Sequence, residues 1–304
     1  MTASISFAGC GFISVYQVGA IAALRELAPH LLGGAILGSS SGALLGVAII
    51  ADLPTEKIVS TMLRISREVT ERVLGPVTPA FDLTAVFREV YEDMLPQDIA
   101  HKASGRLHVS MTKLPEFSNL MISYFTNKQD LIDALLCSSF IPMAFGLIPP
   151  KFRGTSFIDG FYSNNQPVLS KDTITVTVFA GDSNICPNDG TEEANMTNLQ
   201  FPQGPNSSVN ISLSNYLRVG NTVVPPPTKT MMKICTQGYI DTVKYLVKTG
   251  VIQADIPDNL PQDVRRPFEE EIAKEGNNER DLSSYIFKLP VAMWQAAFNL
   301  DRNL

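Results

Sequence analysis

Residues 35–45 read Ala-Ile-Leu-Gly-Ser-Ser-Ser-Gly-Ala-Leu-Leu, an apolar run entering Gly38-Ser39-Ser40-Ser41-Gly42 and leaving as a second apolar run. The core of this stretch fits G-x-S-x-G with Ser40 central. A chain turning sharply from strand to helix needs glycines two residues either side of the turning serine, because a Cβ there would clash. The helix that follows aims its free N–H groups and dipole at the serine, where they favour developing negative charge. Short Ser-Gly runs also occur in ordinary loops; Ile36-Leu37 before and Ala43-Leu44-Leu45 after supply the strand–turn–helix context. Leu31 to Leu53 has the length of a membrane span, about 20 residues. Three serines and several glycines interrupt its middle, and a buried strand, turn and helix account for it better.

Working outward, Ile5 to Ala8 reads as a short buried strand ending in Gly9-Cys10-Gly11-Phe12, and a helical pattern runs from about Phe12 to Leu27 before Pro29 stops it. The small residues of this turn leave backbone N–H groups accessible. That suits an oxyanion hole, and it equally suits a helix-capping turn or a phosphate site. Residues 55–75 and 81–94 read as amphipathic helices separated by a Gly-Pro break, Arg106 to Leu114 as a strand, Asp130 to Cys137 as the start of a helix and Ile174 to Phe179 as a β-branched strand. Strands alternating with helices predict an α/β sheet covered on its faces. Residues 182–227, rich in Asn, Ser, Gly and Pro, read as a long irregular excursion. Helical pattern returns from Lys229 to Thr249, Arg265 to Arg280 reads as a solvated helix, and Leu289 to Leu300 is apolar with the sole Trp294.

The composition is that of a globular chain, 45% hydrophobic and 18% charged, and its formal charge of −6 gives no reason to expect nucleic-acid binding. The N-terminus lacks a basic stretch followed by an apolar core and does not read as a secretory signal. Cys10, Cys137, Cys186 and Cys235 are scattered without CxxC pairing and read as reduced thiols. The sequons at Asn195, Asn206 and Asn210 then read as chance. No metal or cofactor is expected.

A nucleophilic serine needs a base. Of three histidines, His30 follows Pro29 at a helix end, His101 lies in a polar stretch, and His108 sits within a strand as a packed residue. Asp159, in Phe157-Ile158-Asp159-Gly160, follows an apolar strand end, where it can face a pocket or serve as a plain turn aspartate.

Together these pieces resemble the patatin-like phospholipase family, in its adipose triglyceride lipase and adiponutrin branch. The resemblance is carried by Gly9-Cys10-Gly11-Phe12, by the elbow, by Cys137-Ser138-Ser139-Phe140-Ile141-Pro142 with Gly146-Leu147-Ile148-Pro149-Pro150, and by Asp159-Gly160 with Asn165 and Pro167. It continues through Ile185-Cys186-Pro187 and Cys235-Thr236-Gln237-Gly238-Tyr239, covering roughly residues 5–250. It implies a three-layer α/β/α fold with a mostly parallel central sheet and a Ser40–Asp159 dyad without histidine. Its oxyanion hole would be drawn from Gly9, Cys10, Gly11, Phe12 and Ser41, and Gly38 and Gly42 would shape the elbow. It divides the chain into a catalytic core over 1–180, an excursion and helix over 181–250, and a C-terminal helical segment over 251–304. The implied activity is hydrolysis of lipid esters, foremost triacylglycerol at lipid-droplet surfaces. Alternatives are a phospholipase A or glycerolipid acyltransferase, and a weakly catalytic droplet-binding regulator of lipolysis. Implied partners are neutral lipid or phospholipid, a droplet or membrane surface and a protein co-activator. The implied location is cytoplasmic, peripheral on droplets or endoplasmic reticulum. One departure stands out: Phe161 replaces the family's Gly or Ala after Asp159-Gly160, and its ring can pack into the core, dry the pocket around Asp159 or narrow acyl selectivity, the last being the preferred reading.

Overall fold

A computed structural model describes residues 4–71, 83–142, 144–190, 200–204 and 207–275. β1 (Ile5–Phe7) passes through a 3-10 turn (Gly11–Ser14) into α1 (Val15–Leu27). β2 (Ile36–Ser39) is followed at once by α2 (Ser41–Ile50), then α3 (Thr55–Thr70), α4 (Leu83–Met94) and α5 (Ile99–Ala103). β3 (Leu107–Lys113) and β4 (Ser118–Ile122) precede α6 (Lys128–Ser138), β5 (Lys151–Phe152), β6 (Thr155–Asp159) and β7 (Ile174–Val176). The hairpin of β8 (Gln200–Gly204) and β9 (Ser207–Asn210) leads to α7 (Leu213–Val223), α8 (Thr228–Lys248) and α9 (Gln262–Glu275).

The main sheet has the order β5-β6-β3-β2-β1-β7, with β4 also paired to β3. β7, β1, β2 and β3 are mutually parallel, whereas β4 and β6 run antiparallel to β3. Every residue of β1 and β2 is buried, as are Leu107 and Val109 to Thr112 of β3. Successive side chains point to opposite faces, so burial of all of them means that both faces are covered. This is the expected α/β architecture with helices flanking a sheet whose central half is parallel.

The register places two chain ends together. β4 holds one edge of β3 from Val109 to Lys113. The other edge is shared: β2 occupies it up to Ser39 opposite Ser110, and β6 occupies it from Asp159 opposite Met111. β2 and β6 therefore run toward each other and stop head-on, which brings Ser40 and Asp159 to adjacent positions along β3.

Several expectations change. The 182–227 stretch is not uniformly irregular, since it contains α7, whose Ser212 cap accepts the Asn215 N–H at 3.1 Å. The strand expected to reach Phe179 ends at Val176, where the partner becomes an isolated bridge to Ile185. The helix read as solvated is α9, and it buries Val264, Phe268 and Glu271, with Arg67 of α3 paired to Glu271 at 2.6 Å. The apolar Leu289–Leu300 segment, Trp294, Asn195 and Asn206 lie outside the described residues. All four cysteines are free.

Candidate active site

The turn between β2 and α2 is bent as the Gly-Ser-Ser-Ser-Gly spacing requires. Ser40 holds φ 50° and ψ −132°, a left-handed conformation that costs a non-glycine residue on the order of 1–3 kcal/mol. A Cβ on Gly38 would fall 2.5 Å from the Gly42 carbonyl carbon, and one on Gly42 would fall 2.1 Å from the Phe7 carbonyl oxygen. Both glycines are therefore steric necessities of the turn. Hydrogen bonds fix the strained residue. The Ser40 N–H donates to Ser138 Oγ at 2.9 Å, and that hydroxyl donates to the Ser110 carbonyl at 2.7 Å.

Asp159 ends β6 and is buried. Its N–H donates to the Phe140 carbonyl at 2.9 Å, and its carbonyl accepts from Thr112 Oγ1 at 2.7 Å. A Cβ on Gly160 would lie 2.3 Å from the Ser110 carbonyl oxygen, so the residue after the aspartate is also sterically constrained. Asp159 Oδ1 accepts the Phe161 N–H at 2.8 Å, while Oδ2 is buried without a hydrogen bond of ordinary geometry. Burial pushes the carboxyl up from its usual 3.8 to about 7; the Ser40 side chain and the Phe161 N–H pull it down without cancelling that rise. An aspartate in this state is a usable base near neutrality.

The Gly9–Phe12 turn divides into two kinds of donor. The Gly9 N–H donates to Asn165 Oδ1 at 3.0 Å, and the Cys10 N–H donates to Ser41 Oγ at 3.0 Å. Gly11 and Phe12 open the 3-10 turn, where helix geometry provides no acceptor for their N–H groups, and both line the cavity beside Ser40. Ser41 is the first residue of α2, so its N–H is likewise without an intrahelical acceptor. Burial pushes the Cys10 thiol up to about 12 and keeps it neutral.

Ser40 and Ser41 open onto a cavity. Its walls are apolar: Leu44 and Val47 from α2, Ile58, Met62 and Ile65 from α3, and Phe87 and Val90 from α4. Phe87 stacks on Tyr91 and on Phe145, with ring centroids 5.9 and 5.8 Å apart. Asp159 ends β6 at this elbow. None of the three histidines lines the cavity. Phe161 does not line it either. Its ring packs edge-on against Tyr162 at 5.8 Å. Among the described residues no cluster of His, Cys, Asp and Glu could hold a metal ion.

Three loops meet through Asn165. Its side chain takes the Gly9 N–H, returns a hydrogen bond to the Gly9 carbonyl at 3.2 Å, and accepts from Ser39 Oγ at 2.8 Å. The motif comparison picked out Asn165 but no role for it. Ser138 stands in the resembling segment without a role, because a serine at a helix end carries no signal of what it will face.

The patatin-like phospholipase model matches residues 5–170. This chain belongs to the patatin-like phospholipase family. Human patatin-like phospholipase domain-containing protein 2 is 39% identical over 259 residues, which is 84% of this chain and 50% of that protein. The mouse 1-acylglycerol-3-phosphate O-acyltransferase Pnpla3 is 38% identical over 251 residues, 82% of this chain and 60% of that one. The mouse omega-hydroxyceramide transacylase is 35% identical over 260 residues, 84% and 42% of the two chains. The first two relatives support the adipose triglyceride lipase and adiponutrin branch of the patatin-like family. The chain spans about half the length of the curated relatives it matches. The names of these relatives include a phospholipase domain, an acyltransferase and a transacylase.

Proposed function

We propose that the chain hydrolyses acyl esters of glycerolipids, with triacylglycerol as the main substrate, through Ser40 as nucleophile and Asp159 as general base and acid. The observation that carries this reading is the buried Asp159 carboxyl, raised to about 7, ending β6 against the elbow serine at the mouth of an apolar cavity. Ser40 Oγ attacks the ester carbonyl as Asp159 takes its proton. The tetrahedral oxyanion is held by the N–H groups of Gly11, Phe12 and Ser41. Collapse expels the glyceride oxygen, which receives the proton from Asp159 and leaves Ser40 acylated. Water then attacks the acyl-enzyme, passing its proton to Asp159 and finally back to Ser40. The apolar walls receive the acyl chain, and burial keeps the Asp159 carboxyl dry.

The enzyme works at a lipid-droplet or endoplasmic-reticulum surface without crossing it. In support, no helix among the described residues is long and apolar enough to span a membrane. A second reading, transfer of the acyl group to an alcohol, is favoured by the acyltransferase and transacylase names of two relatives. Purified protein given triacylglycerol and phospholipid emulsions, with lysophosphatidic acid as acceptor, separates the readings by product lipidomics. Free fatty acid with diacylglycerol supports the first, and phosphatidic acid supports the second. No product, and no fluorophosphonate labelling of Ser40, would overturn both.

A further inference from the structure

Of the large apolar side chains exposed among the described residues, Ile148 and Leu147 are the most exposed, at 86% and 84%. They form the tip of a short excursion between Gly146 and Pro149-Pro150. Both roots of the tip are fixed: the Phe145 N–H donates to the Ile141 carbonyl at 2.9 Å, and the Phe157 N–H donates to the Pro150 carbonyl at 3.2 Å. Phe145 also stacks on Phe87. The segment that projects the tip is the one whose Ile141, Ala144 and Phe145 line the acyl cavity. Two large aliphatic side chains thus stand in water on a loop hydrogen-bonded at both roots, beside the substrate space. Residues 138–158 contain Lys151 and Arg153 and no acidic residue, in a chain whose formal charge is −6. Arg153 is paired with Asp130 at 2.7 Å, and Lys151, next to the tip, is exposed.

We propose that the Leu147-Ile148 tip inserts into a phospholipid surface carrying anionic headgroups, with Lys151 at headgroup level, and so seats the cavity on the lipid. This rests on the reading of the cavity as an acyl site, but its binding step is independent of catalysis. Apolar insertion next to a cation is the chemistry by which peripheral proteins hold an anionic leaflet.

The test is flotation with phosphatidylcholine vesicles made with and without phosphatidylserine. Leu147→Ser/Ile148→Ser is expected to weaken partitioning about a hundredfold, from the loss of two inserted side chains. It should leave hydrolysis of a water-soluble short-chain ester unchanged. If that hydrolysis falls as well, the single variants Leu147→Asn and Ile148→Asn, each held to the same comparison, decide the matter. Lys151→Gln is expected to weaken binding about fivefold on phosphatidylserine vesicles only. Ser40→Ala should float like the wild type, so failure of the hydrolase reading and failure of the docking reading give different results. Undiminished flotation of the double variant would overturn the proposal. So would a wild-type dimer that these substitutions dissociate and that binds no vesicle, because the tip would then serve a second copy of the chain.

Discussion

Replacing Asp159 by asparagine should abolish turnover and, above neutral pH, make the chain harder to unfold. The carboxyl titrates near its ordinary value of 3.8 when exposed and at about 7 in the fold. The folded state therefore binds more protons than the unfolded state between these values, and stability falls as pH rises through that window. Below about pH 4 both states hold the proton and nothing is lost. Above about pH 7 the full linkage cost applies, about 4 kcal/mol at 1.36 kcal/mol per tenfold ratio, of which about 3 kcal/mol develops between pH 5 and pH 8. Asparagine keeps the shape without the charge. Its buried NH₂ costs about 1–3 kcal/mol where it finds no acceptor, an offset that does not change with pH. Denaturant unfolding of both proteins from pH 5 to pH 8 isolates the effect, because titrations elsewhere, such as that of half-buried His108, are common to both and cancel. The stability difference should move by about 3 kcal/mol in favour of the variant across this range. Parallel curves would refute the buried, high-pKa aspartate and with it the base assigned to the dyad.

Fluorophosphonate labelling and ester hydrolysis should vanish in Ser40→Ala and persist in part in Ser39→Ala and Ser41→Ala, whose hydroxyls bond Asn165 and the Cys10 N–H. The wild-type kcat/KM should rise with pH to half its plateau near 7, where Asp159 loses its proton; a midpoint near 4 would place the base elsewhere. Ser138→Ala strands the Ser40 N–H, and should lower stability by about 1–3 kcal/mol on denaturant unfolding and reduce the rate of labelling. Ile65→Trp fills the cavity and should cut long-chain ester turnover at least about tenfold while sparing short chains. Phe161→Gly, acting outside the cavity, should leave the chain-length profile unchanged.

Much of the fold could be read locally. The strand–turn–helix around Ser40 announces itself because two glycines, a serine and flanking apolar runs lie within eleven residues. α1, α2 and α8 follow from uninterrupted apolar periodicity ended by Pro29, Pro54 and Gly250. β4 and β5 were not legible, being short and, in β4, only half-buried or exposed, and β6 showed only as the apolar strand end before Asp159, because pairing partners come from elsewhere in the chain. The reach of β7 was overestimated for a related reason, since Thr177 to Phe179 look like strand but have no neighbour beyond Ile185. At the site, Asp159 could be singled out only as one of two readings, and family resemblance chose between them. The cavity was invisible in advance. More than half of its lining comes from α2, α3 and α4, whose apolar stripes look the same whether they pack on protein or line an empty space.

The head-on meeting of β2 and β6 along one edge of β3 also bears on how the chain is made. Ser40 leaves the ribosome 119 residues before Asp159, on the order of 6–24 seconds at ordinary elongation rates. Until β6 arrives, the edge of β3 beyond Ser110 has no strand to complete it and the serine has no base. A nascent chain can therefore lay β3 beside β2 before β6 exists, and on the proposed dyad its reactivity waits at least for one pairing event, Asp159 against Met111.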